Sequence, residues 1–278
     1  MKKIKTNIME LDLTYLCNLN CNNCTRRCDL LPGKKDHADI NNIKKQLISV
    51  ADGGHHFSKI FVMGGEPALY PHLEDLIDFF VSYCEKNNTK ICFVTNYSTE
   101  KIRRITDALP AFFDIRRSRK DGSDKLSTRP DDFWTMNIAP KDFPEFFSKE
   151  DYSDGCAQQK RCGVQLATNN KWYPCTMSGG IDRIFKLGIG CDSFFQMVQP
   201  EVFNTQLNEL CGLCGRFRMR YAPYRKKKCL ETEFKDRSVY PAFVASLKQW
   251  PLHSGQQLLS PSWQQAIEKY RKEMLSPV

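Results

Sequence analysis

Hydrophobic residues in the first half of the chain follow two alternating patterns. Short apolar runs of strand length are separated by stretches in which apolar residues recur every three or four positions. The runs predict strands over residues 8–14, 59–63, 90–95, 112–115 and 133–138, and the periodic stretches predict helices over 39–52, 72–86 and 99–109. Strands that alternate with helices are typical of a parallel sheet with crossover helices. We therefore expect an α/β fold, either a partial barrel or an open sheet.

Several small or polar residues lie just beyond the predicted strands. Cys17, Gly64, Asn96 and Ser118 each follow a strand end. Ligands of parallel α/β folds bind at the carboxyl ends of the strands. These residues are therefore predicted to meet at one edge of the sheet, where a ligand would bind.

The pattern changes after about residue 150, where cysteines become frequent and apolar runs shorten. The stretch VQLATNNKWYPC alternates loosely around Asn169 and Asn170, which predicts a β-hairpin. Two weaker helical patterns follow at 239–249 and 262–275. We divide the chain into a core at 1–150, a small cysteine-rich module at 151–230 and a short helical tail at 231–278.

The composition narrows the class of protein. The chain has 278 residues, 13 cysteines and a formal charge of +9. No apolar run in the sequence approaches the length of roughly 18 residues that a membrane-spanning helix needs. The N-terminus also lacks the long apolar region of a secretory signal. We therefore expect a cytoplasmic protein with no membrane partner, in which this many cysteines favour metal binding or catalysis over disulfides. Basic tracts at 116–120 and 216–228 are either solvated faces or a site for an anionic partner.

The sequence CNLNCNNC contains three cysteines, Cys17, Cys21 and Cys24, just after the first predicted strand. A structural zinc site takes four protein ligands, whereas three thiolates on one loop can hold three irons of a 4Fe–4S cluster and leave the fourth iron open. Cys28 is the alternative fourth ligand, which would give a closed cluster that only carries electrons, or it is a packed thiol. We favour the open site.

The spacing CxxxCxxC after a first strand, followed by GGEP (Gly64 to Pro67) after a second, resembles the radical S-adenosylmethionine (SAM) superfamily over about residues 1–140. The resemblance implies a partial (β/α)6-type barrel and a cluster whose open iron binds SAM. It also implies reductive cleavage of SAM to a 5′-deoxyadenosyl radical that removes a hydrogen atom from the substrate. An external electron donor such as flavodoxin or ferredoxin is implied as a partner.

The same resemblance implies the residues that contact SAM. Gly64 and Gly65 allow close backbone approach, their carbonyls and Glu66 would receive the methionine ammonium, and Pro67 fixes the turn. Asn96 would lie near the ribose. Ser118, with Arg116 and Arg119 as alternatives, would contact the methionine carboxylate. Many members carry an aromatic residue before the third cysteine, where this chain has Asn23, so packing against the adenine is not expected there.

The cysteines beyond residue 150 resemble the SPASM or twitch extensions of this superfamily, which hold an additional 4Fe–4S cluster. We predict Cys162, Cys175, Cys211 and Cys214 as its ligands, with Cys156 close behind, and leave Cys191 and Cys229 unassigned. Cys162 is preferred to Cys156 because it forms a Cys-Gly pair with Gly163 just before the predicted hairpin. The longer cysteine run of a full SPASM domain is absent, which favours one auxiliary cluster of the twitch kind. A four-thiolate zinc site is the structural alternative.

These features favour a radical SAM oxidoreductase or epimerase, and they do not identify catalytic residues. We expect a small polar substrate, such as an amino sugar or a nucleoside, because the first cysteine at Cys17 leaves no room for a leader-binding module before it. A maturase of a ribosomally made peptide is the alternative. A zinc-tied, basic nucleic-acid-binding protein and a plain electron carrier are alternatives from other classes; we do not expect a nucleic-acid partner.

Overall fold

The computed structural model describes residues 7–21, 24–30, 36–118, 137–145, 147–152, 156, 159, 162–215, 252–253 and 257–275. A six-stranded sheet organises most of this part of the chain. Its strands are β1 (Ile8–Thr14), β2 (Lys59–Gly64), β3 (Lys90–Thr95), β4 (Phe113–Arg117), β5 (Val164–Leu166) and β6 (Trp172–Tyr173). Their order is β4-β3-β2-β1-β5-β6, and every neighbouring pair is parallel except β5 and β6. The α/β prediction with parallel strands is therefore confirmed.

The longer helices are α1 (Ile40–Asp52), α2 (Leu73–Asn87), α3 (Glu100–Asp107), α5 (Ser178–Phe185), α7 (Pro200–Cys211) and α8 (Pro261–Leu275); α4 (Lys149–Tyr152) and α6 (Phe194–Met197) are single turns. The helices α1, α2, α3 and α8 form where the apolar spacing predicts them, whereas α5 and α7 were not predicted. Asp39 and Thr99 cap α1 and α3 by accepting hydrogen bonds from backbone amides of the first turn. Short 3₁₀ turns cover Pro67–Leu69 and Pro140–Asp142, and a separate hairpin joins β7 (Leu252–His253) to β8 (Gln257–Leu258).

The two faces of β1 differ in polarity. Met9, Leu11 and Leu13 are completely buried and pack in one apolar cluster with residues of α1, α2 and α7. Glu10 and Asp12 alternate with them and therefore face the other side of the sheet. A second apolar cluster joins the end of the first cysteine region to the C-terminal part of the chain, with Leu30, Ile181, Leu213 and Trp263 among its members.

In the second half of the chain, two predicted elements are confirmed and two lie mostly or entirely outside the described residues. The hairpin at Asn169 and Asn170 is confirmed, because β5 and β6 are antiparallel and Asn170 has φ +60°. The helix predicted over 262–275 is confirmed as α8. The predicted strand at 133–138 lies mostly outside the described residues, and Asn137 and Ile138 are not in a strand. The helix predicted over 239–249 lies outside them entirely.

The sheet also crosses the boundary that we drew at residue 150. Met9, Glu10 and Leu11 of β1 pair with Val164, Gln165 and Leu166 of β5, so the first strand after that boundary extends the core sheet. The division into three segments stays a prediction. No helix within the described parts of the chain combines the length and apolarity needed to cross a membrane.

Candidate active site

The loop after β1 and the turn after β2 are tied together at the carboxyl edge of the sheet. The Gly65 amide donates to the Thr14 carbonyl at 2.6 Å, and the Glu66 amide donates to the Leu16 carbonyl at 2.9 Å. A Cβ on Gly65 would lie 2.4 Å from the Leu16 oxygen, and one on Gly64, which has φ +145°, would lie 2.2 Å from the Thr14 oxygen. The two glycines are therefore required by the approach of the cysteine loop.

Glu66 is completely buried, and its carboxylate is engaged within the protein. One oxygen accepts from the Thr95 hydroxyl at 2.8 Å and the Ala68 amide at 3.1 Å, and the other accepts from the Asn96 amide at 2.7 Å. Burial raises the pKa of this carboxyl above its ordinary value, although the three hydrogen bonds oppose the shift. Glu66 thus fixes the end of β3 against the GGEP turn.

Asn96 reaches the first cysteine. Its side-chain nitrogen lies 3.9 Å from the Cys17 sulfur and donates to the Asn18 side-chain oxygen at 2.9 Å. Its own side-chain oxygen accepts from the hydroxyl and the amide of Ser98, and Asn18 donates to the same hydroxyl at 2.8 Å. Asn18 and Ser98 were not predicted as site residues, because a polar residue in a loop carries no distinguishing sequence pattern.

Cys17, Cys21 and Cys24 are all half-buried thiols on one loop. Burial raises the pKa of Cys17 to about 11, and the charges of Cys24, Glu66 and Cys21 add to the shift. The Cys28 thiol donates a hydrogen bond to Cys24, which lowers the pKa of Cys24 and raises that of Cys28. Three closely spaced thiols are the donor set that an iron–sulfur cluster takes. Among the described residues, however, no three His, Cys, Asp or Glu side chains are already arranged around one metal position.

Arg26 anchors this loop to the polar face of β1. The side chain is buried, its Nε donates to Asp12 at 2.9 Å, and its Nη2 contacts Glu10 at 2.5 Å and Asp12 at 2.7 Å. Gln165 donates to the other Asp12 oxygen at 2.7 Å. This cluster was not predicted, although Glu10 and Asp12 inside an otherwise apolar strand were a visible signal, since buried carboxylates need partners.

The end of β4 lies beside the same edge. The Ser118 amide donates to the Thr95 carbonyl at 2.7 Å, which continues the pairing of β4 with β3. The Arg116 guanidinium lies over the Phe61 ring, 4.9 Å from its centroid, and Arg117 pairs with Asp107 at 3.2 Å. Arg119, the other alternative to Ser118, lies outside the described residues.

A second group of cysteines lines a small pocket. Cys156, Cys175, Cys211 and Cys214 border it, together with apolar side chains from α5 and α7. Burial and the neighbouring Cys156, Cys214 and Cys211 raise the pKa of Cys175 well above its ordinary value. We call these four residues the second cysteine site.

Cys162, which the sequence analysis preferred over Cys156, lies elsewhere. Its thiol is hydrogen-bonded to Glu10, in the buried cluster behind the first cysteine loop. Gly163, which drew attention to Cys162, has φ +75°, and a Cβ there would lie 1.9 Å from the Ile8 carbonyl oxygen. That glycine therefore serves the pairing of β5 with β1. Cys191 is buried in the main core, where Gln206 donates to its sulfur at 3.2 Å, and Cys229 lies outside the described residues.

Comparison with known proteins finds one family match, in the first half of the chain. Residues 11–115 match the family described as the radical SAM superfamily. This segment, which runs from β1 into β4, is similar to that superfamily, and the family implies a 4Fe–4S cluster and SAM. No curated protein matches the sequence significantly.

Solved structures give weaker likenesses. BtrN in complex with AdoMet and 2-DOIA is 16% identical with a TM-score of 0.48, covering 77% of this chain and 93% of that one. BtrN in an open conformation is 17% identical with a TM-score of 0.47, covering 77% and 94%. SuiB from Streptococcus suis, bound to precursor peptide SuiA, is 17% identical with a TM-score of 0.29, covering 39% and 23%. These values are too low to bear on substrate or reaction.

Proposed function

We propose that this protein is a radical SAM enzyme that binds a 4Fe–4S cluster through Cys17, Cys21 and Cys24, with one iron left for SAM. The observation that supports the proposal is the junction of the cysteine loop, the GGEP turn and Asn96 at one sheet edge, inside the matched segment. When bound, the cluster and SAM supply the 5′-deoxyadenosyl radical that removes a hydrogen atom from the substrate.

The chain's own residues bind and orient the cofactor in this proposal. The backbone carbonyls of Gly64 and Gly65 would receive the methionine ammonium, Pro67 would fix their turn, and Asn96 and Ser118 would contact the rest of SAM. Glu66, whose oxygens already accept three internal hydrogen bonds, acts by holding Asn96 in position. Cys28, whose thiol donates a hydrogen bond to Cys24, would not be a ligand in this proposal.

The second cysteine site would hold one auxiliary 4Fe–4S cluster, with Cys156, Cys175, Cys211 and Cys214 as ligands. Four thiols border one cavity whose other walls include Met177, Ile181, Leu207 and Leu210. Thiolate ligands in a water-poor surrounding suit an iron–sulfur cluster, and they also suit zinc. Metal analysis decides between the two.

We propose a small polar substrate and a dehydrogenation or epimerisation, with an external flavodoxin or ferredoxin as the electron donor. The support is the polarity of the sheet face opposite the one that packs against α1 and α2. Glu10, Asp12 and Gln165 lie on that face, and Lys59, Asp114 and Arg116 occupy neighbouring strands of it. A face lined by charged groups suits a polar substrate better than an apolar one.

The test is anaerobic reconstitution with iron and sulfide, followed by metal analysis and incubation with dithionite and SAM. We expect iron for two clusters, little zinc, and 5′-deoxyadenosine among the products. Bound zinc without iron, and no 5′-deoxyadenosine, would contradict the proposal and favour a zinc-tied binding protein. Candidate substrates are then compared by their stimulation of 5′-deoxyadenosine formation.

A further inference from the structure

Trp263, near the start of α8, contacts elements of the second cysteine site. The residue is completely buried, and its indole N–H donates to the Leu213 carbonyl at 2.8 Å. Leu213 lies between Cys211 and Cys214. The indole also packs edge-on against Phe185, with ring centroids 4.8 Å apart. Phe185 ends α5, the helix that begins shortly after Cys175.

The same indole contacts the first cysteine loop, residues 17–28. The guanidinium carbon of Arg27 lies 5.0 Å from the centroid of the Trp263 ring, and Arg27 is completely buried. Arg27 donates to the Cys24 carbonyl twice, from Nη1 at 2.7 Å and from its amide at 3.0 Å. Its φ of +59° is uncommon for a residue with a side chain, which means that surrounding contacts fix the loop here.

A second buried connection runs in parallel through the sheet. Arg26 donates to Asp12, Gln165 donates to the other Asp12 oxygen, and the Gly179 amide donates to the Gln165 side-chain oxygen at 2.8 Å. Gly179 lies in the first turn of α5, so this chain also joins the first loop to an element of the second site. Two separate buried connections thus join the same two regions. They indicate that contacts within the protein fix the position of one region relative to the other.

We propose that Trp263 is a positioning residue that fixes the first cysteine loop relative to the second cysteine site, through Arg27 on one side and Leu213 on the other. A cation over a desolvated indole and an indole hydrogen bond are both stronger in the interior than at a surface. Close packing around them transmits a displacement from one side to the other. All of these contacts lie within the chain, so they can be tested without the proposed clusters.

The test is site-resolved hydrogen exchange on the metal-free, full-length protein. Trp263→Phe keeps a ring under Arg27 and removes the bond to Leu213. Trp172→Phe is the matched control, because Trp172 is equally buried and its indole N–H donates to Gln46 at 2.7 Å in the other apolar cluster. Losing a net hydrogen bond should speed exchange roughly two- to tenfold at the amides of Leu213 and Cys214, and also at those of Arg27 and Leu30. The control should leave all four amides unchanged.

Arg27→Lys provides the reverse experiment. The substitution lies in the first cysteine loop, and hydrogen exchange is measured at the second cysteine site. It should speed exchange at Leu213 and Cys214, and combining it with Trp263→Phe should add less than the sum of the single effects. Equal effects of the two tryptophan variants, or faster exchange on only one side of Trp263, would overturn the proposal. If Trp263→Phe does not fold, an Arg27→Lys protein with unchanged exchange at Leu213 and Cys214 overturns it.

Discussion

The two cysteine regions of this protein are built in opposite ways. The cysteines of the first loop, Cys17, Cys21 and Cys24, lie on one short segment that leaves the carboxyl end of β1. The second site draws Cys156, Cys175, Cys211 and Cys214 from separate segments that meet around a cavity. A contiguous site depends on one loop and what anchors it, whereas a dispersed site depends on the packing of several helices. Substitutions in the first loop should therefore act on a single segment, whereas substitutions at the second site should act through the packing of several helices.

The largest expected difference concerns SAM cleavage. Replacing Cys17, Cys21 and Cys24 together by Ala should abolish formation of 5′-deoxyadenosine, because it removes every protein ligand of the proposed SAM-binding cluster. Cys175→Ala should leave cleavage at least partly intact and remove turnover of the true substrate. Chromatography of the products after anaerobic reconstitution measures both. Undiminished cleavage in the triple variant would show that the first-loop assignment is wrong.

The next prediction distinguishes Cys156 from Cys162. Cys156→Ala should lose the iron of the proposed auxiliary cluster, because its side chain borders the cavity with the other three cysteines. Cys162→Ala is the matched control and should keep that iron, since its thiol is bonded to Glu10 in the sheet. Iron and sulfide analysis of the reconstituted proteins gives the result. Loss of iron in Cys162→Ala alone would restore the ligand set predicted from the sequence.

Cys156 and Cys162 also illustrate which features of the site could not be predicted from the sequence. The first loop was recognisable because its spacing is local, and GGEP followed a predicted strand. Cys162 was preferred because Gly163 followed it, yet the glycine is needed where β5 passes the Ile8 carbonyl. Such a steric requirement depends on which strands are neighbours, and spacing along the chain does not contain that information.

The fold, too, was predictable only where the sequence pattern is local. The strands β1 to β4 and their helices carry long apolar patterns, and their predicted bounds agree with the structure to within one or two residues. The strand β5 covers only Val164 to Leu166, and its pairing with β1 is a contact between distant segments. Glu10 and Asp12 were visible within β1, but their partner Arg26 was not, because nothing local links a loop arginine to a strand behind it.

A third prediction compares the buried ion pair that supports both regions with an exposed one. Asp12→Ala leaves Arg26 buried without that partner and removes the acceptor of Gln165, so we expect a loss of about 3–5 kcal/mol in the free energy of unfolding. Asp114→Ala removes the pair with Lys59, whose members are 55% and 22% exposed, and should cost no more than about 1 kcal/mol. Urea unfolding of the metal-free proteins measures both. Similar losses would mean that Arg26 finds water or another partner.

A fourth prediction concerns the approach of the first loop to the GGEP turn. Gly65→Ala brings a methyl group against the Leu16 carbonyl and the Cys17 side chain, and we expect a loss of roughly 1–3 kcal/mol. Gly54→Ala is the control, because it meets nothing within 4 Å there and carries only the cost of a residue at φ +82°. Gly65→Ala should also weaken SAM cleavage by displacing Cys17, whereas Gly54→Ala should not. Equal activity in the two variants would argue that the loop tolerates the displacement.

The smallest expected effect is a pH dependence of folding stability caused by Glu66. It shows whether burial or hydrogen bonding has the larger effect on this carboxyl. Because burial raises its pKa in the folded protein, the folded state binds this proton more tightly than the unfolded chain does. The stability that the group contributes is therefore present below the pKa of the unfolded chain, about 4.3, and is lost as the pH rises through the higher folded value. Glu66→Gln cannot titrate, so the wild type should lose stability relative to this variant as the pH rises above the pKa of the unfolded chain. Urea unfolding of both metal-free proteins at increasing pH measures the difference. A constant difference would mean that the hydrogen bonds from Thr95, Ala68 and Asn96 cancel the cost of burying the charge.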